Sequence, residues 1–158
     1  DRTKDYDPNI AYSPADGTIS QINEVEWDGK PYTQVVIFLS VFNCHINRIP
    51  LKGTVVSTDH FTGKFYVAMR KDIDEKNERQ ITVFDTDKGR IKVAQITGAI
   101  ARRIVCRLKP KQCVEVGNRF GLIKFGSRTD LWVPRSAEIL VKKGDKVRGA
   151  LTEMVRFQ

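Results

Sequence analysis

Few side chains in this sequence are suited to acid–base or nucleophilic work near neutral pH. There are two histidines, His45 and His60, three cysteines, Cys44, Cys106 and Cys113, and a Gly126-Ser127 pair set between two short apolar runs. A serine hydroxyl that follows glycine can attack the carbonyl of that glycine, which leaves the carbonyl unshielded and tolerates a strained peptide. The same pair suits a turn between strands, with Ser bonding nearby backbone, so local chemistry leaves both readings open. His45 lies in Phe38-Leu39-Ser40-Val41-Phe42-Asn43-Cys44-His45-Ile46-Asn47-Arg48-Ile49-Pro50, directly after an apolar stretch. An imidazole there either lines a site or makes a structural hydrogen bond. His60 follows Asp59 in a predicted loop and reads as structural. Asp16, just before Gly17, either bonds its own backbone in a turn or orients an imidazole.

Other chemistries find little support. The cysteines are odd in number and none has C-x-x-C spacing. That argues against a disulfide framework or a zinc site and for a reducing compartment, with a single Cys106–Cys113 bridge left open. No constellation has metal-ligand spacing. Gly117, Gly121 and Gly126 fit neither the G-x-G-x-x-G nor the Walker pattern. Arg102-Arg103 and Lys109 to Lys111 are basic but lack interleaved aromatics for base stacking.

The 158 residues, 41% hydrophobic, suit one domain with a real core. Twenty-seven basic against 19 acidic side chains give a formal charge of +8, which favours polyanions such as an anionic membrane surface, a phosphorylated substrate or nucleic acid. No apolar run approaches the ~20 residues that span a bilayer, and no signal peptide is expected.

The elements that must position these groups read as short strands. Residues 1–12 are polar and form a loosely held leading arm ahead of a domain over 13–158. Ser13-Pro14-Ala15-Asp16-Gly17 is a turn, Thr18 to Val25 a strand, and Asp28-Gly29 a hairpin signal. Thr33 to Leu39 is the clearest buried strand. Asn43 to Pro50 interrupts it with polar groups, and Gly53 to Ser57 is a strand. Lys64 to Met69 reads as strand or turn, and Arg70 to Arg79 as a solvated charge run. Gln80 to Thr86 and Arg90 to Thr97 flank Asp87-Lys88-Gly89 as a hairpin. Ala99 to Leu108 suits helix or strand, and Arg119 to Lys124, Asp130 to Val133 and Glu138 to Val141 are short strands. The expected fold is mainly β, a compact barrel-sandwich of lipoyl-like hybrid type with little helix.

Taken together, these stretches resemble the phosphatidylserine decarboxylase family, in particular its short, single-domain branch. The resemblance rests on Ser13-Pro14-Ala15-Asp16-Gly17, on Phe38-Leu39-Ser40 through His45-Ile46-Asn47-Arg48-Ile49-Pro50, and on Asn77-Glu78-Arg79 with Phe84-Asp85-Thr86. It rests also on Gln95-Ile96-Thr97-Gly98 with Ala101-Arg102-Arg103, and on Gly121-Leu122-Ile123 with Phe125-Gly126-Ser127-Arg128. It runs from Ser13 to about Gly149.

The resemblance implies a proenzyme that cuts itself between Gly126 and Ser127, giving a β chain of 1–126 and an α chain of 127–158 that stay associated. Ser127 would become a pyruvoyl cofactor that holds the substrate amine as a Schiff base and takes up the electrons left by carbon dioxide. The implied substrate is a serine phospholipid, phosphatidylserine or archaetidylserine, turned into the ethanolamine lipid. His45 is expected to supply a proton and Asp16 to be the acidic member of the cleavage machinery. Chemistry adds Arg48, with Asn47 and Ser40, as candidate groups for the lipid phosphate or carboxylate. The implied setting is the cytoplasmic face of an anionic membrane, with room for a homodimer and no nucleic-acid partner.

Three positions depart from the family pattern. Arg48 stands where many members have a second histidine, so His45 either serves both steps or the arrangement differs. Asn43 stands where short-branch members often have Asp, and the tail from Gly149 to Gln158 lacks an expected strand. The competing readings are a lipoyl-like carrier modified at Lys30 in the Asp28-Gly29-Lys30 turn, a basic nucleic-acid binder, and an inactive relative.

Overall fold

The computed structural model describes residues 4–39, 44–61, 78–97, 104–124 and 127–158. In chain order the strands are β1 (Ile10–Tyr12), β2 (Gly17–Trp27), β3 (Lys30–Phe38), β4 (Cys44–Arg48), β5 (Gly53–Phe61), β6 (Arg79–Thr86) and β7 (Gly89–Ile96). There follow β8 (Ile104–Cys106), β9 (Cys113–Val114), β10 (Arg119–Lys124), β11 (Arg128–Pro134), β12 (Glu138–Ile139), β13 (Lys146–Val147) and β14 (Glu153–Arg156). Among the described residues every regular element is a strand, so the expected mainly β barrel-sandwich is what the chain forms.

A large sheet in the order β13-β2-β3-β11-β7-β6-β5-β9 curls into a half-barrel. Two three-stranded sheets, β4-β10-β8 and β1-β14-β12, accompany it. Asp28 and Gly29 both have positive φ, 53° and 71°, and close the β2–β3 hairpin as its primed turn requires. Val35, Ile37 and Leu39 of β3 and its continuation face inward with Leu131, Val133, Ile91, Val93, Phe84, Phe120 and Ile123, all nearly inaccessible. Burial of each such side chain contributes roughly 1.5–3 kcal/mol.

Several expectations give way. The stretch from Asn43 to Pro50 is not an interruption: Cys44–Arg48 is β4, paired along β10. Its burial is inverted, with Ile46 outside and His45 and Asn47 inside, so hydrophobic patterning misreads it. The tail does contain a strand, β14, whose Met154 and Val155 are fully buried. Its partners are β12 and, far away in sequence, β1, which turns the end of the leading arm into a buried strand, Ile10, Ala11 and Tyr12. His60 belongs to β5, which runs to Phe61, rather than to a loop. Cys106 and Cys113 are both free thiols. Lys64 to Met69, most of the Arg70–Arg79 run, and Gly98 to Arg103 lie outside the described residues.

Candidate active site

Ser127 stands immediately before β11, and its carbonyl accepts from the Leu39 N–H at 2.8 Å. It is buried, 2% exposed, and its Oγ has no hydrogen-bond partner among the described residues. Alternation along β11 puts Ser127, Thr129 and Leu131 on the inner face and Arg128, Asp130 and Trp132 on the outer one. An unpartnered hydroxyl in such a place costs free energy, so this serine is not there to complete a structural hydrogen bond.

Opposite it lies β4. His45 and Asn47 share the inner face of that strand, 8% and 0% exposed. Asn47 Nδ2 donates to Thr129 Oγ1 at 3.1 Å, and Gln95 Nε2 donates to Asn47 Oδ1 at 2.9 Å. Lys124 pairs with Cys44, and only two residues separate Lys124 from Ser127, a reach of about 10 Å at most. Ser127 therefore lies toward the His45 end of β4. Asn47 meets Thr129 on the same side, so β4 and the start of β11 face each other there.

Asp16 approaches from the third side. Phe38 pairs with both Thr18 and Arg128, so Asp16 and Ser127 flank the end of β3 about 10 Å apart backbone to backbone. Asp16 Oδ1 accepts from the Gly149 N–H at 2.7 Å. The chain thus brings together Ser127, His45 and Asn47, with Asp16 one strand further out. Gly126, Ser40 and Asn43 lie outside the described residues.

Arg48 goes elsewhere. It is on the opposite face of β4 from His45 and Asn47, 6% exposed, and its Nη1 donates to the Gly117 carbonyl at 3.0 Å. This buried cation beside Tyr6 belongs to the packing under the β9–β10 connection, and its strand face separates it from Ser127. His60 Nε2 lies 3.0 Å from Glu78 Oε2 in a separate pair. Lys30 is exposed at the β2–β3 turn. A pocket of about 340 Å³ lined by Tyr6, Pro8, Leu51, Thr86 and Lys88 lies at the end of β6 and β7 away from Ser127.

Two participants escaped the sequence reading, Thr129 and Gln95. Gln95 is fully buried, and its Oε1 has no partner among the described residues. It occupies the inner row Ile91, Val93, Gln95 of β7, and the break in that apolar row was the available signal. Gly121 is what lets Gln95 lie so close to β10: a Cβ there would meet Gln95 Nε2 at 2.8 Å.

On the outer face, Arg128 makes a bidentate pair with Asp130, Nη2 to Oδ2 at 2.8 Å and Nε to Oδ1 at 3.1 Å, and Gln34 Nε2 donates to the same Oδ2 at 2.9 Å. Lys92 Nζ lies over Trp132 and Trp27, 3.8 and 4.4 Å from the ring centroids. Burial pulls its pKa down to about 8, against the attraction of Asp130.

A family model described as phosphatidylserine decarboxylase matches residues 1–153. The chain is 47% identical over 152 residues to a phosphatidylserine decarboxylase proenzyme of Wolbachia sp. subsp. Brugia malayi, covering 91% of this chain and 66% of that protein. It is 46% identical over 145 residues to the proenzyme of Streptomyces coelicolor, covering 91% of this chain and 64% of the relative. Against the Chlorobium chlorochromatii proenzyme the identity is 41% over 150 residues, covering 94% and 71%. The chain thus spans about two thirds of the length of the curated relatives it matches.

Proposed function

The chain belongs to the phosphatidylserine decarboxylase family, and on that premise we propose that it is a self-processing, pyruvoyl-dependent carboxy-lyase acting on a serine phospholipid. The observation that carries the proposal is the buried Ser127 Oγ, which has no hydrogen-bond partner among the described residues. A hydroxyl kept out of structural bonding is free to act as a nucleophile.

In the cleavage step Ser127 Oγ adds to the carbonyl of Gly126 and loses its proton. The peptide C–N bond then breaks, leaving an ester and a free amine at residue 127. Removal of the Ser127 α-proton expels the Gly126 carboxylate, ending the chain 1–126. The dehydroalanine left at position 127 tautomerises and is hydrolysed, releasing ammonia and leaving a pyruvoyl group. Asp16, anchored by the Gly149 N–H, is the acid assigned to this step, through His45 or a relay that does not use Arg48.

In turnover the pyruvoyl group supplies an electrophilic carbonyl and an electron sink for the departing carboxylate. Ser127 is its source, and the surroundings fit it: the interior there holds two buried polar atoms without partners among the described residues, Ser127 Oγ and Gln95 Oε1. His45 holds the proton that replaces carbon dioxide. Asn47 and Gln95, bonded to each other and to Thr129, hold β4, β7 and β11 together beside these two residues.

Intact-mass analysis of the purified chain tests the reading. Two fragments are expected, 1–126 and a 127–158 piece that begins with a pyruvoyl group, with Ser127→Ala left whole. In the cleaved enzyme His45→Ala is expected to lower kcat on phosphatidylserine by about 10²–10⁴-fold. An uncleaved chain with unmodified Ser127 and no carbon dioxide release would overturn the proposal.

A further inference from the structure

The outer surface is not uniform around Ser127. Phe38 pairs with Arg128, Arg128 with Ile96, Ile96 with Arg79, and Arg79 with Phe61. These five residues form one row across five strands, spanning about 19 Å; Ile96 in its middle is buried, and Arg128 is the chain neighbour of Ser127. Phe38 is 50% and Phe61 41% exposed. Arg79 stacks on Phe61, its Cζ 4.5 Å from the ring centroid. On the far side of the sandwich Ile46, the neighbour of His45, is 39% exposed. Three of the four large apolar side chains exposed among the described residues thus surround the end that holds Ser127 and His45; the fourth is Val56.

We propose that this end of the sandwich is the membrane-docking surface, with Phe38 and Phe61 on one lip and Ile46 on the other seated in an anionic phospholipid bilayer. The choice of partner rests on the proposed lipid substrate. Aromatic rings with guanidinium groups between them suit the headgroup layer, where rings bury in the acyl boundary while cations meet phosphate. The formal charge of +8 adds a long-range attraction to an anionic surface. Docking by this end brings the lipid headgroup to the end of the sandwich on which Ser127 and His45 lie. On that second lip Ile46 continues through Leu122 and Val105 as one row across β4, β10 and β8, and exposed Arg107 and Arg119 extend the same face toward the far end of β10.

Vesicles of phosphatidylcholine doped with phosphatidylglycerol test the proposal, because phosphatidylglycerol has no amine and cannot be a substrate. Co-sedimentation of the full chain is expected to fall at least about 5-fold for Phe38→Asp and for Phe61→Asp. Val56→Asp and Arg119→Glu are expected to retain Phe38-dependent binding, the latter with only the loss due to charge. Phe38→Trp, which preserves an aromatic ring, should give a blue-shifted emission on addition of vesicles, independently of how the aspartate variants fold. Binding that ignores Phe38 and Phe61, an unmoved Phe38→Trp emission, or a dimer that Phe38→Asp dissolves would overturn it. Carbon dioxide release from dispersed short-chain phosphatidylserine by the unmodified protein separates the two claims: it reports the decarboxylase activity whether or not the surface docks.

Discussion

Asn47 Nδ2 and Thr129 Oγ1 meet at 3.1 Å between the small sheet and the large one. Together with the Lys124–Cys44 pairing, this bond places Ser127 toward the His45 end of β4. Asn47 is completely buried and also accepts from Gln95, so two side chains from the large sheet bond to one amide. Asn47→Leu removes the donor to Thr129 Oγ1 and leaves Gln95 Nε2 only its 3.4 Å bond to the Val105 carbonyl, and is expected to cost about 1–3 kcal/mol in urea unfolding. Thr129→Val, which breaks one of these bonds, should cost less. Self-cleavage of the folded Asn47→Leu protein, followed by gel electrophoresis, should also be slower than that of Thr129→Val; equal rates would show that the register does not matter.

In the proposed cleavage Asp16 has a catalytic role beside its structural one. Its Oδ1 accepts from the Gly149 N–H, a bond that an amide oxygen can replace, whereas the charge has no substitute. Asp16→Asn is expected to keep Tm within about 3 °C and to lengthen the half-time of self-cleavage at least about 10-fold. Asp16→Ala should lose both stability and cleavage. Normal processing of Asp16→Asn would remove the acid from the cleavage step.

Arg48 is expected to matter to the fold rather than to the substrate. Arg48→Met leaves the Gly117 carbonyl without its guanidinium donor and should destabilise the chain by about 1–3 kcal/mol. KM for short-chain phosphatidylserine should stay within about 2-fold of the unmodified value. A large rise in KM with unchanged stability would return Arg48 to the substrate site.

Lys92 makes stability depend on pH in a defined direction. Its pKa is held down to about 8 in the fold against 10.5 for an ordinary lysine. Between those values the unfolded chain still binds a proton that the folded chain has released, so the contribution of this group rises with pH. The urea midpoint of the unmodified protein relative to Lys92→Met should therefore increase from pH 8 to pH 10.5 and be flat below. A difference that falls with pH would contradict the sign.

The sequence alone determined the β architecture, because turn chemistry such as Asp28-Gly29 and the β-branched run Thr33 to Leu39 are local signals with one compatible geometry. It also singled out Ser127, His45 and Asp16 through their order within recognisable segments. It did not reveal β4, because that strand turns polar residues inward and Ile46 outward, against the hydrophobic rule. Nor did it reveal β14, whose pairing with β1 joins the two ends of the chain. Arg48 looked like an oxyanion ligand from its chemistry, yet strand alternation carries its side chain away from Ser127. Which side chains share a face, which strands lie level and which polar atoms stay without a partner depend on long-range register, and only the tertiary structure decided them.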